Sequence, residues 1–293
     1  MQPASQHVRP LTSCDLAHVQ KLLFFSDYVY QRFTPQELPL LLEHYPACGL
    51  FHAEHLESFL LSQALNPPVA WIGGFGVSWG EHRHAFDHLD RLLDYLQPRL
   101  QARGVRQLYY SGNDQEQDWL RTPLLRRGFA PHSLLYAYDK FDYQIPTHGN
   151  QAVHVRSVQS SDFEALCEIE RLCFAPLWRY DALAFADIAA THPYFVVAEL
   201  AGRIVGYQFN TVDEGYGYLI RIAVHPAFNG QGIGARLMAE AINFFARERV
   251  RRIMLNTQED NRRAHRLYEW FGFVRMPQRG FILCKELPPA CAS

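Results

Sequence analysis

The chain has 293 residues, of which 48% are hydrophobic, enough for two medium-sized domains with apolar cores and too many for a disordered chain. Its 30 acidic and 28 basic side chains give a formal net charge of -2, which excludes a broad basic field for nucleic acid or anionic membranes. No stretch has the roughly 18 apolar residues of a membrane span, and Met1–Pro10 lacks the apolar core of a signal peptide. We therefore expect a cytoplasmic protein that binds neither nucleic acid nor membrane.

The two halves of the chain resemble each other at a nearly constant spacing. Residues 8–16 match residues 155–163 at an offset of 147 (155 − 8), and each segment predicts a short strand followed by a capped helix. Later, Gly128 and its neighbours match Gly272 and its neighbours at an offset of 144 (272 − 128). The register predicts a duplicated domain, with chance similarity between helix-to-strand joints as the alternative.

The segment between the two halves is rich in turn-forming residues. Tyr143–Asn150 contains Pro, Gly and Asn and shows no periodicity, which is typical of a linker. We expect a first domain at residues 1–145, a linker at 146–152 and a second domain at 153–293.

The second half alternates between strand and helix patterns. In chain order, the periodicity predicts a strand at Val153–Val158, a helix at Ser161–Phe174, strands at Tyr194–Leu200, Ile204–Val212 and Tyr218–Val224, a helix at Gly232–Arg249, a strand at Arg252–Asn256, a helix at Asn261–Phe271 and a strand at Phe281–Leu287. This order indicates an α/β fold with a mixed sheet and helices packed against it.

A glycine-rich loop, Asn229–Gly234, lies between the predicted strand Tyr218–Val224 and the second predicted helix. The backbone N–H groups of such a loop, together with the helix N-terminus, are suited to binding phosphate. Gly230, Gly232 and Ala235 also fit the spacing of a dinucleotide site, but Val250 stands where an acidic ribose ligand is expected about 20 residues on. An acyl-CoA site is therefore favoured over a nicotinamide or flavin site, and the missing Gly-Lys-Ser/Thr ending excludes a nucleoside triphosphatase loop.

Three motifs in this half resemble the GCN5-related N-acetyltransferases (GNAT). They are the run Ile222–Pro226, the glycine loop and the run Asn261–Phe273. The resemblance covers residues 153–287, and within the superfamily Ile169–Trp178 is similar to the first helix and loop of bacterial ribosomal-protein N-terminal alanine acetyltransferases. It implies two tandem GNAT-like domains, each with a mixed, mostly antiparallel sheet flanked by helices, of which the first is degenerate.

The resemblance also implies a reaction: an acetyl group passes from acetyl-CoA to the primary amine of a protein N-terminus or small molecule, without a metal. The strands at Tyr218–Val224 and Arg252–Asn256 would splay apart, and backbone groups would stabilise the oxyanion that forms when the amine attacks the thioester. Tyr268 matches the general acid that protonates the departing thiolate. The residues implied to hold the cofactor are Ile222, Ala223, Val224, Asn229, Gly230, Gln231, Gly232, Ile233, Gly234, Ala235, Asn256, Asn261, Ala264 and Tyr268.

Two positions depart from the family's pattern. Asn229 stands where Arg or Gln is usual, and Asn256 stands 12 residues (268 − 256) before Tyr268, where the N-terminal acetyltransferases carry a glutamate base. An amide cannot take a proton, so the base stays open and a non-catalytic acyl-CoA-binding or scaffold protein is the alternative. Monomer and homodimer both stay open. The candidates for the base are a water chain, Glu259, Asp260 and Glu214.

The first half reads as a damaged copy of the second. Its cofactor strand would be Val69–Trp79 and the following helix Leu89–Arg103, but the connection lacks glycines and carries Glu81 and Asp87, which would repel phosphate. Leu124 stands at the position equivalent to the tyrosine (268 − 144). We therefore expect this half not to bind acyl-CoA productively.

The remaining charged and metal-binding residue types give weaker signals. A set of arginines is expected to surround the cofactor end, either to meet the 3'-phosphate of CoA or as a solvated face; it comprises Arg247, Arg249, Arg251, Arg252, Arg262, Arg263 and Arg266. His82, His84 and His88 have no supporting Cys or acidic pattern, so we expect scattered surface histidines and no metal site. The six cysteines, expected to be free and mostly buried thiols, are Cys14, Cys48, Cys167, Cys173, Cys284 and Cys291.

Overall fold

The computed structural model of the protein describes residues 5–114 and 116–288, with the backbone alone at residues 64–66. The chain divides into two compact units. The first takes the residues up to Ser111, Asp118–His132 and the residues from Ile282, and the second takes Gly112–Gln117 and Ser133–Phe281. The predicted linker, residues 146–152, lies within the second unit. The domain limits given by the sequence stay a prediction.

The first unit has helices packed against a sheet in the order β1-β3-β4-β5-β6, with β2 beside β5. Its central strand β5 is buried at every position, and the leucines of α3 recur at helical spacing on the buried side. The bounds are β1 His7–Pro10, α1 Leu16–Phe25, β2 Val29–Gln31, α2 Leu38–His44, β3 Ala47–His52, β4 His55–Asn66, β5 Val69–Val77, α3 Ala85–Ala102, β6 Gln107–Gly112 and α4 Arg121–Arg126.

The second unit contains a mixed sheet in the order β13-β7-β12-β11-β10-β9-β8. Among the strand pairs of this sheet whose register is described, β11 and β12 are parallel and the others are antiparallel. The bounds are β7 Ala130–Lys140, β8 His154–Ser157, α5 Phe163–Cys173, α6 Ala182–Thr191, β9 Tyr194–Leu200, β10 Arg203–Asp213, β11 Tyr216–Val224, α7 Ile233–Arg247, β12 Arg252–Gln258, α8 Arg262–Trp270 and β13 Val274–Glu286.

Every element predicted in the second half is present, with two differences. Helix α6 was not predicted, although Asp181 caps it by accepting a hydrogen bond from Ala184 N at 2.8 Å. Strand β13 begins seven residues before the predicted Phe281, because its first part is largely exposed and contains a proline and a glycine that argue against a strand.

The duplication is visible in the structure as a pair of matching ion pairs. Arg9 Nη2 lies 2.7 Å from Asp15 Oδ1, and Arg156 Nη1 lies 2.7 Å from Asp162 Oδ2, 147 residues later. Each pair joins the first strand of its half to the 3-10 turn that starts the first helix. Apart from the short strand β2 of the first half, both halves then follow the same order of described strands and α-helices, which confirms the repeat inferred from the sequence.

A second correspondence lies at the end of each half. Gly128 and Gly272 follow the last helix with φ values of +84° and +78°. Directly after each glycine, a phenylalanine amide closes the turn: Phe129 N donates to Leu124 O at 3.1 Å, and Phe273 N donates to Tyr268 O at 3.0 Å. Leu124 therefore occupies the structural position of the tyrosine, as predicted.

The buried residues include one histidine that we expected at the surface. His88 is 2% exposed, so this expectation was wrong; His82 is half-buried and His84 is exposed. The described cysteines are free: Cys48 is buried, Cys14 is exposed, and Cys167, Cys173 and Cys284 are half-buried. Cys291 lies outside the described residues. Every helix in the described part of the chain is too short or too polar to cross a membrane.

Candidate active site

Two neighbouring strands of the second unit, β11 and β12, separate along their length. Parallel pairing joins Tyr216–Tyr218 to Arg252–Met254, and no later pair of described residues links the two strands. Beyond this point β11 follows β10 as far as Val224, whereas β12 follows β7 as far as Gln258. The separation, which we call the strand gap, leaves one edge of β11 without a neighbouring strand, as the resemblance implied.

A β-bulge lies in β11 where the strand gap begins. On β10, Phe209 faces Arg221 and Asn210 faces Leu219, so Ile220 is an extra residue in the register. A bulge bends a strand and turns the residues after it, and bulges are common beside active sites. Here the bulge starts the run of β11 that contains Ile222, Ala223 and Val224, three residues implied to hold the cofactor.

The helix that follows the strand gap begins without a side-chain cap. Gly230 and Gly232 have φ values of +78° and +75°, and Gly232 is the N-cap residue of α7. The first N–H groups of a helix have no intrahelical acceptor, and no side chain of the described residues accepts a hydrogen bond from them. These amides, from Gly230 to Ala235, are therefore available to an anion at the positive end of the helix dipole.

The linker holds this glycine loop from its carbonyl side. Asn150 Nδ2 donates to Gln231 O at 3.0 Å, and Asn150 N donates to Gly232 O at 3.2 Å. The neighbouring Gly149 has φ +64°, and a Cβ there would lie 2.3 Å from Arg236 N. Only glycine fits at this contact, so the linker fixes two loop carbonyls and leaves the loop amides to a ligand.

Tyr268 lies on α8 and is 5% exposed. It belongs to the same apolar cluster as Ala235, and Ile222 and Ala264 pack against that cluster, so the fold brings these four predicted site residues together. Burial raises the pKa of Tyr268, and the positive charge of Arg221 opposes this increase by a smaller amount. The hydroxyl therefore stays protonated at neutral pH and is able to donate a hydrogen bond.

The two predicted site asparagines have different surroundings. Asn261 caps α8, because its Oδ1 accepts from Ala264 N at 3.2 Å, and its Nδ2 donates to Thr257 Oγ1 at 3.1 Å. Asn256 is exposed on β12, in the part of that strand beyond the parallel pairing. The cofactor contacts implied for both residues stay predictions.

The carboxylates suggested as general bases lie in two separate regions. Glu259 and Asp260 are exposed in the turn between β12 and α8, and Glu259 Oε1 accepts from Leu134 N at 3.3 Å. Glu214 precedes β11, and a rise of about 3.3 Å per residue puts it roughly 25 Å from Ile222 along the strand. Glu214 therefore lies at the paired end of β11, away from Ile222, and its role as the base stays a prediction.

The predicted basic cluster is split between the two ends of α7. Arg247 ends this helix, roughly 20 Å from the glycine loop at a rise of about 1.5 Å per residue. At that end Arg252 forms an ion pair with buried Asp139, and Arg251 Nη2 donates to Glu214 O at 3.3 Å. The arginines of α8 are exposed on a helix that starts beyond the end of β12, and these are Arg262, Arg263 and Arg266.

A buried polar network, whose role the sequence did not reveal, adjoins the same strand. Glu170 on α5 is 1% exposed and accepts from Tyr180 N at 2.8 Å and from the hydroxyl of Tyr207. Arg221 Nε lies 3.7 Å from Glu170 Oε1, and its guanidinium lies 4.0 Å from the ring centroid of Phe174. Burial raises the pKa of Glu170 despite the arginine beside it. The network joins α5 and the loop after it to the residue that follows the bulge.

One signal for this network was present in the helix pattern. Leu166 and Ile169 form a buried stripe, and Glu170 stands four residues after Leu166 on the same side. A charged residue within an apolar stripe indicates a buried partner. The partner, Arg221, is 51 residues away in the sequence and was not predictable from spacing.

Cys173, on the same helix, contacts the end of β11. Its Sγ donates to Val224 O at 3.3 Å, and burial raises the pKa of the thiol to about 11. The thiol is therefore protonated at neutral pH and acts as a hydrogen-bond donor, which argues for a structural role.

The sequence of this region is similar to known acetyltransferases. Residues 163–273 match the model of the acetyltransferase (GNAT) family. An uncharacterized N-acetyltransferase of Methanocaldococcus jannaschii is 32% identical over 121 residues, which cover 41% of this chain and 76% of that protein. The N-alpha-acetyltransferase RimI of Mycobacterium tuberculosis is 30% identical over 138 residues, which cover 45% of this chain and 85% of that protein.

The fold of the chain is also shared by solved structures at low sequence identity. A tandem GNAT protein from the clavulanic acid biosynthesis pathway has a TM-score of 0.71 at 14% identity and covers 98% of this chain and 100% of its own. A GCN5-related N-acetyltransferase from Sphaerobacter thermophilus has a TM-score of 0.63 at 16% identity, covering 97% and 96%. Together, the sequence similarities establish that the chain belongs to the GNAT family of acetyltransferases, and its fold is shared with a tandem GNAT protein.

Proposed function

We propose that the second unit transfers the acetyl group of acetyl-CoA to a primary amine. The observation that carries the proposal is the strand gap, which ends at the uncapped N-terminus of α7. This arrangement offers an open strand edge for an extended pantetheine arm and a cluster of free amides for a pyrophosphate, in that order along the chain. In this proposal the strand edge and the loop amides that hold the cofactor run from Ile222 on β11 to Ala235 on α7, and residues of β12 and α8 line the other side of the strand gap.

The chemistry follows from these groups. The neutral amine attacks the thioester carbonyl, so a C–N bond forms, the C–S bond breaks and the electron pair leaves on sulfur. Backbone N–H groups on the free edge of β11 stabilise the oxyanion, and Tyr268 donates a hydrogen bond to the departing thiolate. The amine's surplus proton passes to Glu259, Asp260 or a water chain.

The acceptor binds on the side of β11 that faces α5, where Glu170 and Arg221 fix the loop after that helix. Several relatives carry the name N-alpha-acetyltransferase, which favours the α-amino group of a protein or peptide as the acceptor. A small-molecule amine is the second class of acceptor.

The first experiment measures acetyl-CoA binding by calorimetry and thiol release over a panel of peptides and small amines with the purified full chain. We expect saturable binding and thiol release that depends on an acceptor. Binding without thiol release for any acceptor would favour the non-catalytic acyl-CoA-binding alternative.

The second experiment tests the tyrosine. Tyr268→Phe should bind acetyl-CoA as the wild type does but lower kcat by roughly 100-fold or more, the usual effect of removing a proton donor. Tyr194→Phe is the control. Tyr194 is a half-buried tyrosine of the same unit, but its ring stacks on Phe244, away from the strand gap. Unchanged turnover in Tyr268→Phe would remove the tyrosine from the mechanism.

A further inference from the structure

The first unit differs from the second at the turn that corresponds to the glycine loop. Between β5 and α3 the chain forms a 3-10 helix, Trp79–His84, which carries Glu81, and His88 follows in the first turn of α3. Glu57, on β4, completes a cluster in which one ligand-type atom of each side chain lies within 4.8 Å of the other two. We propose that Glu57, Glu81 and His88 bind a divalent transition-metal ion that stabilises the first unit.

Burial makes this cluster unusual. Glu57 is 3% exposed and His88 is 2% exposed. Among the described residues, the Glu57 carboxylate accepts a hydrogen bond from Gln6 Nε2 at 2.7 Å and lies 3.4 Å from His52 Nδ1. Neither of these two side chains is a permanent cation. A buried carboxylate without a fixed positive partner is costly, and a bound metal ion removes that cost.

His88 gives an independent sign of a missing partner. Its Nδ1 is inaccessible to solvent and has no hydrogen-bond partner among the described residues. A buried ring nitrogen without a partner loses its hydration without compensation, and most such groups in proteins are paired. The same imidazole supplies one of its two ring nitrogens to the cluster, and a metal ion bound at Nδ1 would supply the missing partner.

The donor set indicates the class of ion. Two carboxylates and one imidazole suit Zn²⁺ and its first-row neighbours, whereas Mg²⁺ and Ca²⁺ prefer oxygen ligands alone. Ligand distances near 2 Å put the donor atoms of a tetrahedral zinc site about 3.4 Å apart, so the side chains need to close only slightly. Glu81 is half-buried, which leaves the fourth position open to a solvent molecule.

The cluster also accounts for the electrostatic difference between the two units. In the second unit the turn after the central strand presents free amides to an anion, and in the first unit the corresponding turn presents the carboxylate of Glu81 beside Glu57 of β4 and His88 of α3. The ion would join β4, the 3-10 turn and α3 through one side chain from each. This proposal does not depend on the proposed acetyl transfer.

Zinc binding to the metal-free full chain is the direct test, measured by competition with a chromophoric chelator. We expect one saturable site, and Glu81→Gln should weaken Zn²⁺ binding at least about 10-fold, since loss of a group that only supports a ligand already costs that much. Asp87→Asn is the matched control: it removes the same charge from an exposed side chain at the start of α3, outside the cluster.

A second pair of variants separates a ligand from a nearby histidine. His88→Gln should lose the site, and His84→Gln, one turn earlier and exposed, should keep it. Zn²⁺ should raise the Tm of the wild type and of both controls but not that of Glu81→Gln. Absence of a saturable site in the wild type, or wild-type affinity in Glu81→Gln, would overturn the proposal, whatever the acetyl-transfer assay shows.

Discussion

A single carboxylate in the glycine loop should abolish most of the affinity for acetyl-CoA. Gly230 has φ +78°, and a Cβ added there meets no atom within 4 Å, so Gly230→Asp introduces a charge without a clash. Gly202, in the turn between β9 and β10, has φ +74° and equally open surroundings. Aspartate tolerates this backbone region at a cost of about 1 kcal/mol, so the two variants should lose similar stability.

The effect on binding should separate the two variants. At about 6 Å and an effective dielectric constant of about 20, one carboxylate repels each phosphate charge by about 3 kcal/mol, which corresponds to roughly 100-fold in Kd. Calorimetry with acetyl-CoA should show this loss for Gly230→Asp, smaller at high salt, and wild-type affinity for Gly202→Asp. Wild-type affinity in Gly230→Asp would refute pyrophosphate binding at the loop, and an equal loss in both variants would point to lost stability instead.

Two further predictions concern buried carboxylates. Glu170→Gln leaves the Arg221 charge without its buried partner and should lower the free energy of unfolding, measured by urea denaturation, by roughly 3 kcal/mol. Glu168→Gln, at an exposed position of the same helix, should leave the free energy of unfolding unchanged. Equal free energies of unfolding for the two variants would show that the ion pair does not stabilise the fold. A hydrogen bond from Arg156 holds the pKa of Asp162 below its ordinary value of 3.8, so this stabilisation is complete above about pH 4 and is lost as pH falls through the folded-state pKa. Asp162→Asn should therefore reduce the loss of unfolding free energy as the pH falls below about 4, and an unchanged acid profile would contradict the assignment.

Features that depend on local sequence were predictable. The match between residues 8–16 and 155–163 predicted two equivalent strand-to-helix joints, and the structure places an Arg–Asp pair in each. The glycine loop was predictable for the same reason, because positive φ at Gly230 and Gly232 depends on the residues themselves.

Features that depend on contacts between distant segments were not predictable. The bulge at Ile220 arises from the register between β10 and β11, and the residue types in β11 do not predict it. The arginines near residue 250 stand close to the glycine loop in sequence, but a helix lies between them, so proximity in the chain did not mean proximity in space. His88 looked like a surface histidine because its two carboxylate neighbours come from a strand and a turn.

The two units also differ in what holds the turn after the central strand. In the second unit, Asn150 of the linker binds the carbonyls of Gln231 and Gly232, so the orientation of the loop amides depends on a segment that connects the two copies of the repeat. In the first unit, the corresponding turn at Trp79–His84 contains a contact of its own, between His82 Nδ1 and Trp79 O at 2.8 Å. The glycine loop of the second unit is therefore held by contacts from a separate segment of the chain, and substitution of Asn150 should disturb the loop amides before it disturbs the sheet.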